Sequence, residues 1–427
     1  MKVLFSCMLL LATILPSAWS QRAIVGFVPE TTNNHTWQSE TIEVPLEATP
    51  FLSYFLIWSG EATGFQIRFS SDGRNWAPWQ SVIPDGHAEQ HEDRKISQLG
   101  MTDKTHHFFQ VSASASPGQV ACHFYNPGDS QPLTPQVQHD ALEPRSCPCP
   151  LPENLTRAQW CPAGNCPPNP NPTPTTTTHL IVHHAAGTNT SSDWAAVVRS
   201  VWDFHVNGNG WADIGYNWLI DPNGVIYTGR GDEILGAHFC AQNTGTAGIC
   251  MLGNYTTITP TAAALSSLES MLAWKACDIG ADPLGSAFHP SSGLILPYIS
   301  GHRDGCNTAC PGDAFYPMLP ALRQAVEDHI NSGCEATGSG EQLGVHAVRL
   351  SPNPTSDRVD IMLQNELIGI LDAALLDVTG RVLLRRSLEK TAPNLEFELQ
   401  LSALPAGSYW LRLTIGDHTG GFSVIKM

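Results

Sequence analysis

At 427 residues the chain is longer than one ordinary domain, and two or three are expected. Its hydrophobic fraction of 42% is enough to fill packed cores, and 22 basic against 39 acidic residues leave a formal charge of −17. That balance argues against a nucleic-acid partner, because such proteins present basic patches to the phosphates.

In chain order, Lys2 precedes an apolar run from Val3 to Leu15, and Ala18-Trp19-Ser20 follows. This is the pattern of a secretory signal peptide over 1–20, with an apolar stretch too short to span a bilayer. No later stretch is apolar enough for a transmembrane helix. In an exported chain disulfides are expected, and eleven cysteines remain once Cys7 is set aside. An odd count leaves at least one unpaired within the chain. If Cys310 is a metal thiolate, the other ten can pair completely.

Residues 21–145 read as a β-sandwich. Phe65-Gln-Ile-Arg-Phe69 alternates apolar and polar, Ser70-Ser-Asp-Gly73 is a turn, and Trp76 and Trp79 lie on the returning strand. Trp58, Trp76 and Trp79 are expected in its core. His106-His107 has no partner at metal-ligand spacing and is expected at the surface. From 142 to 178 Pro, Cys, Asn and Thr dominate. Cys147, Cys149, Cys161 and Cys166 are expected to staple this segment, in any of three connectivities, with a zinc knuckle as the rival. Pro167 to Thr178 reads as extended.

The middle of the chain, 153–334, alternates strand and helix signals and reads as α/β. His179–His184 is strand-like, Ser191 and Ser192 offer helix N-caps, and Trp194, Val197, Val198, Val201 and His205 recur at helical spacing. Tyr216–Ile220 and Val225–Thr228 form a hairpin about Asp221-Pro-Asn-Gly224. Gly248–Leu252 is a further strand, and Thr261–Ala276 and Ala314–Ile330 are helices. Gly301-His-Arg-Asp-Gly-Cys-Asn-Thr-Ala-Cys310 is a loop that sets an imidazole and a thiol eight positions apart. Two histidines and one cysteine can hold Zn2+ tetrahedrally with the fourth position open, as catalytic sites do. A Gly/Ser/Glu linker from Ser332 to Gly344 leads to 345–427, read as a small β-sandwich without a nucleophile or ligand constellation.

Six ordered motifs resemble the peptidoglycan recognition protein and zinc amidase family: Leu155-Thr-Arg-Ala-Gln-Trp160, Ile181-Val-His-His-Ala-Ala186, Trp211-Ala-Asp-Ile-Gly-Tyr216, Tyr227-Thr-Gly-Arg-Gly231, Gly236-Ala-His238 with Asn243, and the His302–Cys310 loop. The resemblance implies a central mixed sheet flanked by helices. It also implies zinc on His183, His302 and Cys310, and hydrolysis of the amide joining N-acetylmuramic acid to L-alanine. Tyr216 then hydrogen-bonds the attacking water or the developing oxyanion, and Thr308 orients a group beside it. His205, Trp211, His238 and Asn243 become candidates for binding peptidoglycan or muropeptides, although His205 and Trp211 fit a core role equally. His184 faces away from the metal, and Arg230 is structural. The rival from another class is a peptidoglycan-binding protein without turnover.

The last segment resembles a type IX secretion sorting domain, on Leu350-Ser-Pro-Asn-Pro-Thr355, Leu376-Asp-Val-Thr-Gly-Arg381 and Leu401-Ser-Ala-Leu-Pro-Ala-Gly-Ser-Tyr409. It implies export through the periplasm and outer membrane by the type IX machinery, to the cell surface or beyond. A monomer is expected.

Overall fold

The computed structural model describes residues 21–27, 37–45, 50–86, 93–115, 117–130, 149–334, 348–351, 353, 355–365, 367–376, 382–405, 407–416 and 418–426. The expected signal peptide, Cys147, the linker from 335 and the turn at 377–381 lie outside them. No helix among the described residues is long and apolar enough to cross a membrane.

The N-terminal unit is two antiparallel sheets. One orders Gln21–Phe27, Val120–Asn126, Ser53–Trp58 and Lys95–Ile96; the other orders Trp37–Gln38, Phe108–Ala113, Gln66–Ser70 and Gln80–Ser81. Alternating apolar residues from both face a common core holding Phe51, Ile67, Phe69, Phe109, Val111 and Phe124. Trp58 belongs to that core, but Trp76 and Trp79 do not. They stay half-exposed because the Arg68 guanidinium lies over both rings, 4.9 and 4.5 Å from their centroids.

The central unit is a mixed five-stranded sheet in the order Ile226–Thr228, Trp218–Ile220, Thr246–Met251, His179–His184, Ile299–Gly301. All neighbours are parallel except the hairpin pair at the Ile226–Thr228 edge. His179–His184 is buried at every position because both faces are covered. Leu180, Val182, Ile249 and Met251 meet the helices Ala262–Asp278 and Leu319–Asn331, while Leu219 and Cys250 meet Trp194–Asp203. The hairpin turn is held by Asp221, whose Oδ1 accepts from the Asn223 and Val225 amides and whose Oδ2 accepts from the Tyr227 hydroxyl.

Helix Trp194–Asp203 is capped by Asp193, which accepts the Ala196 amide at 2.9 Å, and not by Ser191 or Ser192. Ser191 Oγ instead accepts the Asp193 amide, which leaves the anionic side chain at the positive end of the helix. The hairpin Ser286–His289 with Leu294–Pro297 had no clear signal in the sequence. Its runs are four residues long, and Phe288 and Ile295 point to solvent.

Among the described residues, disulfides join Cys149 to Cys334, Cys161 to Cys166 and Cys240 to Cys306. Cys149 therefore leaves the expected local staple and ties the entry segment to the end of the last central helix, which also removes the zinc-knuckle alternative. Complete pairing of the remaining cysteines does not hold either. Cys122 and Cys250 are free thiols on core strands, packed as small apolar side chains.

The C-terminal unit packs a three-stranded sheet (Val348–Ser351, Arg358–Gln364, Asn394–Gln400) on a four-stranded one (Val382–Lys390, Gly369–Leu376, Gly407–Ile415, His418–Lys426). Val359, Ile361 and Leu363 alternate inward against Leu371, Leu375, Leu411 and Leu413.

Candidate metal centre

Parallel pairing brings two imidazoles together. Val182 is in register with Gly301, so His183 and His302 emerge side by side at the carboxyl ends of neighbouring strands, with ring centroids 4.5 Å apart. Open α/β sheets place ligands at this end. Cys310 returns to the same point through a loop held by the Arg303 amide on the Cys310 carbonyl and by the Cys310 amide on Thr308 Oγ1, both at 3.1–3.2 Å. Its sulfur lies 3.8 Å from His183 Nδ1 and accepts the His184 backbone N–H at 3.3 Å.

One donor atom from each of His183, His302 and Cys310 lies within 4.8 Å of the others, and all three residues are buried. Zinc–nitrogen bonds of about 2.0 Å and zinc–sulfur bonds of about 2.3 Å set tetrahedral edges near 3.5 Å. The donor set therefore fits zinc in both chemistry and span. Cys310 is not bridged to Cys306, whose sulfur is bonded to Cys240. That bond also disarms the second cluster of donors, Cys240, His302 and Cys306, because its sulfurs are spent on each other.

Behind the centre, His183 Nε2 sits 3.0 Å from His238 Nδ1, and His238 Nε2 lies 3.4 Å from Thr246 Oγ1. His238 is only 3% exposed. Glycines make its slot: a Cβ on Gly236 or Gly248 would lie 2.3 or 2.5 Å from its ring. Asn243 Oδ1 accepts the His238 and Phe239 amides. These two residues, expected at the muropeptide, thus present polar atoms to the protein. Arg230 donates to the carbonyls of Ile214, Leu235 and Asp213, and His184 Nδ1 accepts the Tyr255 amide on the far face.

Beside Tyr216 is a small cleft lined also by Ala185, Ala186, Val201, Phe204 and His205. After Asp203 the helix widens to a π-helical turn over Phe204–Gly208, which sets His205 facing the cleft. His205 Nδ1 accepts the Gly215 amide at 3.0 Å, so the neutral ring keeps its proton on Nε2. Trp211 is half-exposed and packs against His205 at a tilt, with centroids 4.7 Å apart. The Tyr216 ring lies 5.3 Å from that of His183. Burial first, then Cys250, Cys310 and Asp85, hold its phenol well above the usual range.

Two features carried no sequence signal. Cys250, in register with His183 and among the groups that raise the Tyr216 phenol, reads in the sequence as any core residue. Asp85 lines the same cleft from the N-terminal unit, and Pro84-Asp85-Gly86 resembles any turn.

Residues 173–313 match the family model described as N-acetylmuramoyl-L-alanine amidase, and 349–426 match that of a secretion system C-terminal sorting domain. Peptidoglycan-recognition protein SC2 of Drosophila simulans is 36% identical over 137 residues, which cover 32% of this chain and 68% of that protein. The human N-acetylmuramoyl-L-alanine amidase is 35% identical over 146 residues, covering 33% of this chain and 23% of its own length. Among solved structures, Drosophila peptidoglycan recognition protein SD aligns at 26% identity and a TM-score of 0.33, over 40% of this chain and 93% of that one.

Proposed function

The chain belongs to the family of peptidoglycan recognition proteins and N-acetylmuramoyl-L-alanine amidases, and from that premise we propose that it is a zinc amidase cleaving the amide between N-acetylmuramic acid and L-alanine. One observation carries the choice of enzyme over binding protein: His183, His302 and Cys310 converge as a buried zinc-compatible triad with the sulfur unbridged.

Zinc held by His183 Nδ1, a ring nitrogen of His302 and Cys310 Sγ would supply a nucleophile active at neutral pH and an electrophile for the amide carbonyl. The Tyr216 phenol donates a hydrogen bond towards the charge that develops on the carbonyl oxygen. Thr308 holds the Cys310 amide and so fixes the sulfur's approach, in addition to any orienting contact with substrate. His205 presents Nε2–H to the cleft, and Trp211 supplies an apolar wall beside it. His238 and Asn243 act one layer back, His238 by orienting His183. All donors come from one chain, so a monomer suffices. We read the two-sheet units at either end as β-sandwiches, and the last as the tag for type IX export to the surface or beyond.

Purified wall incubated with the zinc-loaded protein should release stem peptides beginning with free L-alanine. A chelator should stop release and added zinc restore it. Sedimentation of the protein with wall, without any new amino terminus, would favour binding without turnover.

A further inference from the structure

The N-terminal unit docks on the central one through the outer side of its first sheet. Phe55 and Ile96 pack on Phe204, Arg22 pairs with Asp203, and the buried Arg199 donates to the carbonyls of Pro127 and Gly128. The outer side of the second sheet faces the other way. Ile67, Phe69, Phe109 and Val111 point into the core, so the alternate residues Arg68 and Gln110 point outward, side by side in register.

Arg68 Nε and Nη2 both donate to Gln110 Oε1, at 2.8 and 2.6 Å, and Gln110 Nε2 donates to Thr41 Oγ1 at 3.2 Å. The guanidinium is thereby fixed, and Trp76 and Trp79 lie against it. Their segment is pinned as well. Asp72 Oδ1 accepts the Arg74 and Asn75 amides, the Ala77 amide donates to the Phe69 carbonyl, and the Val82 amide donates to that of Phe65. Two large rings are thus held half-exposed and set in place before any ligand arrives, which lowers the entropy cost of binding. One row along the same face, Gln38, Ser112 and Gln66 stand in register across three strands and add neutral donors and acceptors. This is the chemistry of a sugar-binding surface. An indole face is apolar and electron-rich and suits the C–H face of a pyranose, while hydroxyl and acetamido groups suit amides and a guanidinium. A polyanion fits poorly on a chain of charge −17, and an apolar partner would strip water from the Arg68 charge without replacing it.

We propose that Trp76, Trp79 and Arg68 form a second wall-binding site, which takes the glycan strand and holds the protein on polymeric wall while the metal centre acts on a stem peptide of the same polymer. The occupant is the alternating N-acetylglucosamine–N-acetylmuramic acid chain, a choice that rests on the peptidoglycan reading of the central unit. The face lies on the side of the N-terminal unit away from the junction, so a bound strand leaves the docking helix undisturbed. Two linked sites on one polymer raise each other's occupancy without any new contact.

The test uses the full-length zinc-loaded chain. Binding is measured by sedimentation with glycan strands stripped of their stem peptides, and turnover on whole wall and on a soluble muramoyl tripeptide. The variants are Trp76→Ala, Trp79→Ala and the pair, with Glu61→Ala, exposed elsewhere on the same unit, as control. Each single variant should bind stripped glycan about ten-fold more weakly, the scale for one truncated aromatic anchor, and the pair should not sediment with it. Turnover on whole wall should fall about ten-fold relative to turnover on the tripeptide, which is too short to reach both sites. Glu61→Ala should match the wild type. A wild type that ignores stripped glycan would overturn the proposal, as would a double variant that binds it normally, or equal losses on wall and tripeptide. Binding of cellulose or starch in place of stripped glycan would overturn the choice of occupant. Should the pair not fold, the single variants decide by the same readings. A wild type that binds stripped glycan but turns over neither substrate would sink the amidase reading and leave this site standing.

Discussion

His183 and His238 are joined ring to ring, Nε2 to Nδ1 at 3.0 Å, in the protein interior. The bond assigns the protons. With Nδ1 turned to the Cys310 sulfur, His183 carries its hydrogen on Nε2 and donates it to His238. His238 then holds its own on Nε2 towards Thr246 Oγ1, and that hydroxyl donates to the Asn243 carbonyl at 2.8 Å. The chain of donors ends on backbone, so His183 has one tautomer and one orientation before any metal arrives.

His238→Ala should therefore weaken zinc binding roughly 10- to 100-fold while leaving the three ligands in place. Competition against a chromophoric chelator measures it. Wild-type zinc affinity in the variant would show that the ring only fills space.

Tyr216→Phe keeps the packing against His183 and His205 and removes one donor. We expect kcat to fall about 10²-fold, the scale for one lost oxyanion donor, with zinc content intact. A change in KM alone would place the hydroxyl on the ground-state substrate instead.

His123 gives the docked units a pH dependence. It is stacked on Phe55 at 4.4 Å, and burial, with the Arg22 and Arg94 guanidiniums nearby, holds its imidazole down at about 4. The unfolded chain takes up this proton near pH 6.5 and the folded one does not, so stability is lost as pH falls from 6.5 towards 4. The loss approaches about 3 kcal/mol. Asp221 works in the opposite sense, since burial raises it to about 6 and folded protein then binds the extra proton. Comparison with His123→Phe cancels Asp221: between pH 7 and pH 4 in urea, the wild type should lose about 3 kcal/mol more than the variant. Parallel curves would exclude His123 as the source.

Much of this arrangement could be read along the chain because it is local. His179–His184 is apolar enough to be buried on two sides, and the Asp221–Gly224 turn carries its own hydrogen-bonding side chain. The meeting of His183, His302 and Cys310 depends on sheet order, which no spacing encodes; the family motifs supplied that expectation. Where competition between neighbours decides, the sequence was a poor guide. Asp193 takes the helix cap because Ser191 bonds Asp193 itself, and Arg68 draws Trp76 and Trp79 out of the core. Cys149 and Cys334 stand far apart in the chain, and only the packed domain brings their Cα atoms to 4.9 Å. Asp85 is the extreme case, a turn residue whose surroundings are made by another unit.

The most direct measurement is metal content beside amide hydrolysis for the wild type and Cys310→Ser, both purified under non-chelating conditions. We expect about one zinc per wild-type chain with release of L-alanine-terminated peptide, and loss of both in the variant. A variant that keeps its zinc and its turnover would contradict the assignment of Cys310, His183 and His302 as the centre of an amidase.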